Sequence, residues 1–226
     1  MDVIADRDIL SINYLEATIA RWGSSVFVPR GTTLLSQGHL QTEWCYILGG
    51  IVKLVRIFDD GTETIVSLQS RGFAGGVGVL FLRRPSEIEI TTCTDLRVIY
   101  VRMPTLMGAL ENDVKFARAM HTLQSYEHKE LLQHHLRRVN PNALARTSDI
   151  IKELSRYNWP AGARQGGLLR REIAQLIGVT PEHLSRLLRR LKAEHREVVN
   201  GTAPVPALRV SRYRSPSYPV SPVSES

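Results

Sequence analysis

Cysteine is scarce in this sequence. Cys45 and Cys93 are the only two among 226 residues. That excludes a disulfide-stapled scaffold and any four-cysteine zinc or iron–sulfur site within one chain. Long apolar runs are missing too, and nothing approaches the ~18 consecutive apolar residues of a membrane helix. The first ten residues, MDVIADRDIL, are acidic and carry no signal-peptide pattern. The expected setting is therefore a reducing cytoplasm, with no membrane partner. Motifs of common catalytic machinery are also lacking. There is no G-x-S-x-G, no P-loop, no H-E-x-x-H and no spaced carboxylate pair, so an enzyme is not expected.

What is present is a globular composition, 43% hydrophobic and 23% charged, long enough for one or two domains with a real core. The net charge of +7 is unevenly placed. Residues 1–136 hold 13 Lys+Arg and 15 Asp+Glu, net −2, whereas residues 137–226 hold 16 and 7, net +9. An excess confined to one part suggests an acidic partner there, with nucleic acid as the first candidate and a plain basic surface as the alternative.

Residues 26–103 read as many short strands. Val26–Val28, Leu34–Leu35, Tyr46–Leu48, Ile51–Phe58, Thr64–Leu68, Ile88–Thr94 and Val98–Val101 are separated by turn signals, among them Asp59-Asp60-Gly61. Such spacing predicts an antiparallel sandwich or barrel. The pattern changes after Pro104, and residues 105–139 suit one long helix. Phe116, Met120, Leu123, Leu131 and Leu132 form a rough seam on it, for packing on the barrel or for dimerisation. Asn140-Pro141-Asn142 marks a hinge. Residues 143–200 read as helical and basic, with a Gly-rich interruption at 161–167. The expected organisation is a barrel over 1–104, a helix over 105–139, a helical module over 140–200 and a disordered Pro/Ser-rich tail over 201–226.

The most informative stretch is Leu169 to Leu191, LRREIAQLIGVTPEHLSRLLRRL. Leu169, Ile173, Leu176 and Ile177 form an apolar stripe, and Gly178 permits a tight turn. Thr180 suits an N-cap, Pro181 the first helical position and Glu182 the positive end of the helix dipole. Leu184, Leu187, Leu188 and Leu191 then repeat at i, i+3, i+4, i+7, the interval of a buried face. Glu182, Ser185, Arg186 and Arg189 repeat the same interval on another face. This is the layout of a helix-turn-helix whose second helix enters a major groove. Arg can bind guanine O6 and N7, Glu can accept from cytosine N4, and Ser suits several bases. Thr180 and His183 lie at the same end. Arg170, Arg171, Arg190 and Lys192 would serve phosphates.

With these pieces assembled, residues 24–200 resemble the bacterial cyclic-AMP receptor protein / fumarate–nitrate regulator (CRP/FNR) superfamily. The matching segments are PRGTTLLSQGHLQTEWCYILGGIVKLV, DDGTETIVSLQSRGFAGGVGVLF, the long helix and the helix-turn-helix. The resemblance implies an α+β protein: a cyclic-nucleotide-binding-type antiparallel β-barrel, a helix that pairs two subunits, and a C-terminal winged helix-turn-helix. It implies a homodimer on double-stranded DNA, with RNA polymerase as a further partner. Glu182-His183-Leu184-Ser185-Arg186 is similar to the E-x-x-S-R pattern of the fumarate–nitrate branch, which implies a palindrome close to TTGAT-N4-ATCAA. The alternative reading is a sensory barrel subunit of a signalling complex.

In cyclic-nucleotide members a Gly-Glu pair and an Arg-Ser pair hold the ligand. The matching residues here are Gly75-Gly76, followed by Val77, and Pro85-Ser86, so both charged groups are missing. Arg83 or Arg84 are candidate substitutes on an exposed loop. Cyclic AMP is therefore not expected. The iron–sulfur cluster of the namesake branch is not expected either, because its N-terminal cysteines are absent. Cys45 and Cys93 read as small buried hydrophobes. His121, His128 and His135 recur every seven residues, with His134 beside the last. His134 and His135 fall near where family members touch an effector. A haem or metal ligand, a proton sensor, and polar positions on a solvated or dimer-facing helix all fit. A wing could begin at Val198-Val199-Asn200-Gly201, although Pro204 and Pro206 interrupt it.

Overall fold

A computed structural model describes residues 9–23, 25–155 and 168–199, with 9–11 and 194–199 by backbone alone. The described residues fall into two units, divided between Leu188 and Arg189. The first unit opens with α1 (Ile9–Ile19) and continues through β1 (Val26–Val28), β2 (Thr33–Leu35), β3 (Glu43–Gly49), β4 (Val52–Ile57), β5 (Glu63–Gln69) and β6 (Ala74–Gly75). A short α2 (Val77–Leu82), β7 (Glu89–Thr92) and β8 (Leu96–Arg102) complete the β region. Then come α3 (Met103–Asn112), α4 (Val114–Arg138), α5 (Ala143–Leu154), α6 (Arg170–Ile177) and α7 (Pro181–Val199), the last of which runs on into the second unit.

The strands pair entirely antiparallel into two four-stranded sheets, ordered β1-β8-β3-β6 and β2-β7-β4-β5. Register follows the apolar pattern: Trp44 faces Val101 and Tyr46 faces Ile99, and Leu54 faces Ile90. The two faces of β3 are both buried, which explains why this strand is apolar without a break. Cys45 and Ile47 pack between the sheets with Val52, Leu54, Ile90 and Val98. Trp44 and Tyr46 point the other way, into a helical layer of Leu15, Ile19, Leu106, Phe116, Met120 and Leu123. Trp22 meets Phe116 edge-on at 5.0 Å, a favoured aromatic geometry. Gly50 is required at the β3–β4 turn. Its φ is +100°, and a Cβ there would lie 2.4 Å from the Asp95 carbonyl oxygen.

Two features differ from the sequence reading. The N-terminal segment is not part of the β region: α1 packs on α4, and Tyr14 Oη donates to Asp113 Oδ2 at 2.6 Å. The helix expected over 105–139 is two helices. Asp113 has extended backbone, φ −126° and ψ 94°, and its carboxylate accepts from Phe116 N at 3.0 Å. It therefore ends α3 and caps α4 in one stroke. Within α4 the seam also divides. Phe116, Met120 and Leu123 are buried against the barrel, whereas Leu131, Leu132 and Leu136 are exposed.

A third cluster joins barrel to C-terminal module. Ile51, Val55, Ile65, Leu68 and Cys93 pack with Ile150, Leu154, Leu168, Ile173, Leu176, Ile177 and Leu184. Among the described residues no helix is long and apolar enough to cross a membrane.

Candidate DNA-reading surface and effector cavity

The helix breaks at Asn140-Pro141-Asn142, the expected hinge, and Asn142 Oδ1 accepts from Leu144 N and Ala145 N to start α5. Arg146, one turn into α5, donates to Asn140 O and to Ile177 O at 3.0 Å, tying the hinge to the end of α6. Gly178 then stops α6 in the left-handed region, φ 73°. Its N–H bonds to Ala174 O and Gln175 O, satisfying carbonyls the helix end would leave open. Thr180 Oγ1 accepts from His183 N at 3.2 Å, the N-cap contact expected of it, and Pro181 opens α7.

One expectation about this module needs correction. Leu169 does not share the buried stripe. It is the N-cap of α6 and is exposed, while its neighbour Leu168 is in the core. The N-cap's extended backbone turns the Leu169 side chain out of the helical phase that the spacing implied. Ile173, Leu176 and Ile177 are buried as expected, as are Leu184 and Leu187.

The polar face is open. Glu182 and Arg186 on α7 are exposed, as are Arg170 and Arg171 on α6 and the cap residue Thr180, while Ser185 and His183 are half-buried. Arg170 Nη1 donates to Ser185 Oγ at 3.2 Å, and Ser185 Oγ donates to Pro181 O at 2.8 Å. Within the first unit the structure thus brings five of the expected reading and phosphate residues, Arg170, Arg171, Glu182, Ser185 and Arg186, to the α6–α7 pair. Arg189 is exposed and belongs to the second unit. Val198 and Val199, expected to begin a wing, are helical backbone in α7. The rest of the wing, the Gly-rich stretch 161–167 and the tail 201–226 lie outside the described residues.

In the barrel, Gly75 and Gly76 end β6 and enter α2, which begins at Val77. A Cβ on Gly76 would sit 1.7 Å from Gln41 Oε1, so the Gln41 amide fills the space above this glycine. Arg83 and Arg84 are exposed, with Arg83 in the left-handed region, φ 50°. Ser86 is buried and its hydroxyl donates to Ile88 O at 2.6 Å. Glu127 reaches over from α4 and accepts from Ala74 N at 2.6 Å, one residue from Gly75.

A separate cavity of about 340 Å³ lies where the end of α4 faces β5, lined by Val66, His128, Leu131, Leu132, His134, His135 and Arg138. His134 is buried, and neither ring nitrogen makes a hydrogen bond. Burial pushes its imidazole down to about 4. The Arg138, Arg137 and His135 charges act in the same direction, and the Val66 backbone opposes them. His121, His128 and His135 are exposed. The heptad spacing therefore does not put these three on the buried face. His134, one position off, is the one that faces the barrel.

The two cysteines are buried, Cys45 between the sheets and Cys93 in the cluster shared with the module. Burial pushes both thiols up to about 12, which keeps them protonated at neutral pH while they stay covered. Among the described residues no group of three His, Cys, Asp or Glu side chains could hold a metal ion.

Residues 25–113 match the cyclic nucleotide-binding domain family. Across 188 residues the chain is 24% identical to the CRP-like cAMP-activated global transcriptional regulator of Mycobacterium tuberculosis, covering 76% of this chain and 79% of that protein. Among solved structures, the c-di-GMP responsive global regulator CLP of Xanthomonas campestris superposes with a TM-score of 0.64 at 20% identity, covering 81% of this chain and 93% of that one. A CRP/FNR-family transcriptional regulator from Thermus thermophilus gives 0.58 at 18% identity, covering 76% and 87%. Residues 25–113 thus belong to a cyclic nucleotide-binding domain, and the chain as a whole is similar to CRP/FNR-type regulators.

A cyclic nucleotide-binding domain raises the question of such a ligand, and the residues present do not fit one. Gly76 stands where an acidic side chain would reach the ribose, and Gln41 already fills the space above it. The Ser86 hydroxyl is engaged by Ile88 O. Arg83 and Arg84 are exposed. The Glu127 carboxylate is bonded to Ala74 N, beside Gly75, where it would repel a phosphate. Sequence reasoning missed Gln41 and Glu127, because only the tertiary fold carries α4 back to β6.

Proposed function

We propose that this CRP/FNR-type chain is a dimeric, sequence-specific DNA-binding transcriptional regulator, acting by binding and not by catalysis. Glu182, Ser185, Arg186 and Arg189 read bases, Arg170 and Arg171 meet phosphates, and Thr180 and His183 frame the start of the reading helix. The observation that carries this reading is the division of α6–α7 into two faces. Ile173, Leu176, Ile177 and Leu184 are buried, while Glu182, Arg186, Arg170 and Arg171 are open to solvent. A module that buries its apolar stripe and leaves acceptors and guanidiniums exposed can present them to base edges and phosphates without rearranging.

The site is a palindrome similar to TTGAT-N4-ATCAA, read by two copies with half-sites about 34–36 Å apart. The exposed Leu131, Leu132 and Leu136 of α4 supply an apolar face for pairing. Control, where it operates, acts through the cavity at His134 and His135 and not through a cyclic phosphate at residues 75–86. An effector there would shift the α4 geometry only by binding one arrangement more tightly than the other. RNA polymerase is a further partner in this reading. The test is equilibrium binding of the purified protein to the palindrome and to a scrambled duplex at fixed salt. Selective binding supports the reading, and equal affinity for both duplexes contradicts it.

A further inference from the structure

The α6 helix divides its polar residues between two tasks. Arg170 and Arg171 are exposed, whereas Glu172 is largely covered. One Glu172 oxygen, Oε2, accepts from Leu169 N at 2.7 Å and caps its own helix. The other, Oε1, lies 2.5 Å from Nζ of Lys53 on β4, a residue 119 positions earlier. Only 21% of the lysine side chain and 13% of the glutamate side chain are exposed. Three residues on, Gln175 Nε2 donates to Glu63 O of β5 at 3.0 Å. Between and beneath these contacts lies the apolar cluster of Ile51, Val55, Ile65, Leu68 and Cys93 against Ile173, Leu176, Ile177 and Leu184.

We infer that the Lys53–Glu172 ion pair is a latch that docks the helix-turn-helix on the β4–β5 hairpin of its own barrel. Apolar contact is not directional, so the cluster favours docking without fixing its register. A largely covered ion pair does fix it, because a shifted register leaves either charge covered without its partner. The docking face (Glu172, Ile173, Gln175, Leu176) is not the reading face (Arg170, Arg171, Glu182, Arg186). The latched module therefore keeps its DNA-facing groups uncovered. The latch is thus a way for the hairpin to hold the reading helix in a DNA-competent position. That consequence rests on the proposed DNA reading, whereas the docking itself does not.

Cys93 makes the latch measurable. It lies in the shared cluster, while Cys45 lies between the two sheets and serves as an internal control. The experiment follows alkylation of each cysteine by N-ethylmaleimide in the full chain, by mass spectrometry, without DNA. Lys53→Met and Glu172→Gln each strand one charge, and the Gln retains an oxygen to cap Leu169. Each single variant is expected to speed Cys93 labelling ~10-fold with Cys45 unchanged. The double variant leaves no stranded charge and is expected to return within ~3-fold of the parent, a non-additivity only coupled residues show. Unchanged Cys93 labelling in both single variants overturns the latch. So does a parallel rise at Cys45, or simple additivity in the double variant. Palindrome binding, measured on the same samples, separates the two claims. A parent protein that fails to select the palindrome while Cys93 responds as stated refutes the DNA reading and leaves the latch standing. Lost selectivity in the single variants with Cys93 unmoved refutes the latch.

Discussion

In the proposed DNA reading, specificity turns on Glu182 and Arg186, which are exposed, chemically matched to base edges and placed on the first turns of α7. Replacing either by alanine is expected to cost ~1–3 kcal/mol of discrimination at one base pair. Fluorescence anisotropy against the palindrome and single-base variants checks this: selectivity at one position should collapse while binding to scrambled DNA stays unchanged. His134 allows a second prediction. Its folded value of about 4 lies below the ordinary 6.5, so the unfolded chain binds the extra proton between those limits. Stability contributed by the neutral ring is complete above pH 6.5 and is lost as pH falls toward 4, by about 3 kcal/mol in all. Urea denaturation of the parent and of His134→Leu at pH 7.5 and 4.5 tests it. The stability difference between the two proteins should grow toward acid in favour of the leucine variant. A constant difference across that range would mean the ring is already charged when folded.

At the scale of elements, turns and caps carry the fold. Gly50→Ala meets a backbone oxygen at 2.4 Å in a left-handed turn, so the β3–β4 corner must shift to accept it. Thr180→Ala only removes a cap, worth ~1 kcal/mol. Calorimetry should therefore show a much larger fall in Tm for Gly50→Ala than for Thr180→Ala. The elements that the sequence revealed are those whose signals are local. Asp59-Asp60-Gly61 announces the β4–β5 hairpin, and Thr180-Pro181-Glu182 announces α7. The α1 stripe of Ile12, Leu15 and Ile19 and the Asp113 cap went unread, because each is a short pattern beside a stronger one. The exposed polar face of α6–α7 was visible because helical spacing alone separates it from the buried stripe. The cavity and the Lys53–Glu172 pair were not, because they join residues from distant segments that no local period relates.

For the whole molecule, α6 packs on the β4–β5 hairpin, and in the proposed function the exposed face of α4 meets a second copy. Leu132→Glu places a charge on that face and is expected to convert a dimer to monomer in sedimentation velocity, with palindrome affinity falling together with the dimer. The barrel's altered 75–86 region sets a further expectation. Cyclic AMP should leave DNA binding unchanged within ~2-fold, since the charge-assisted bonds a buried phosphate needs are not available. The decisive test of the DNA reading is the affinity of the ligand-free protein for a TTGAT-N4-ATCAA duplex relative to a scrambled duplex at physiological salt. A preference of ~10³-fold or more for the palindrome is expected, reduced by ~5–150-fold per half-site in Arg186→Ala. Equal affinity for both duplexes, falling with salt in the same way, would contradict that reading and reduce the C-terminal charge to a non-specific basic surface.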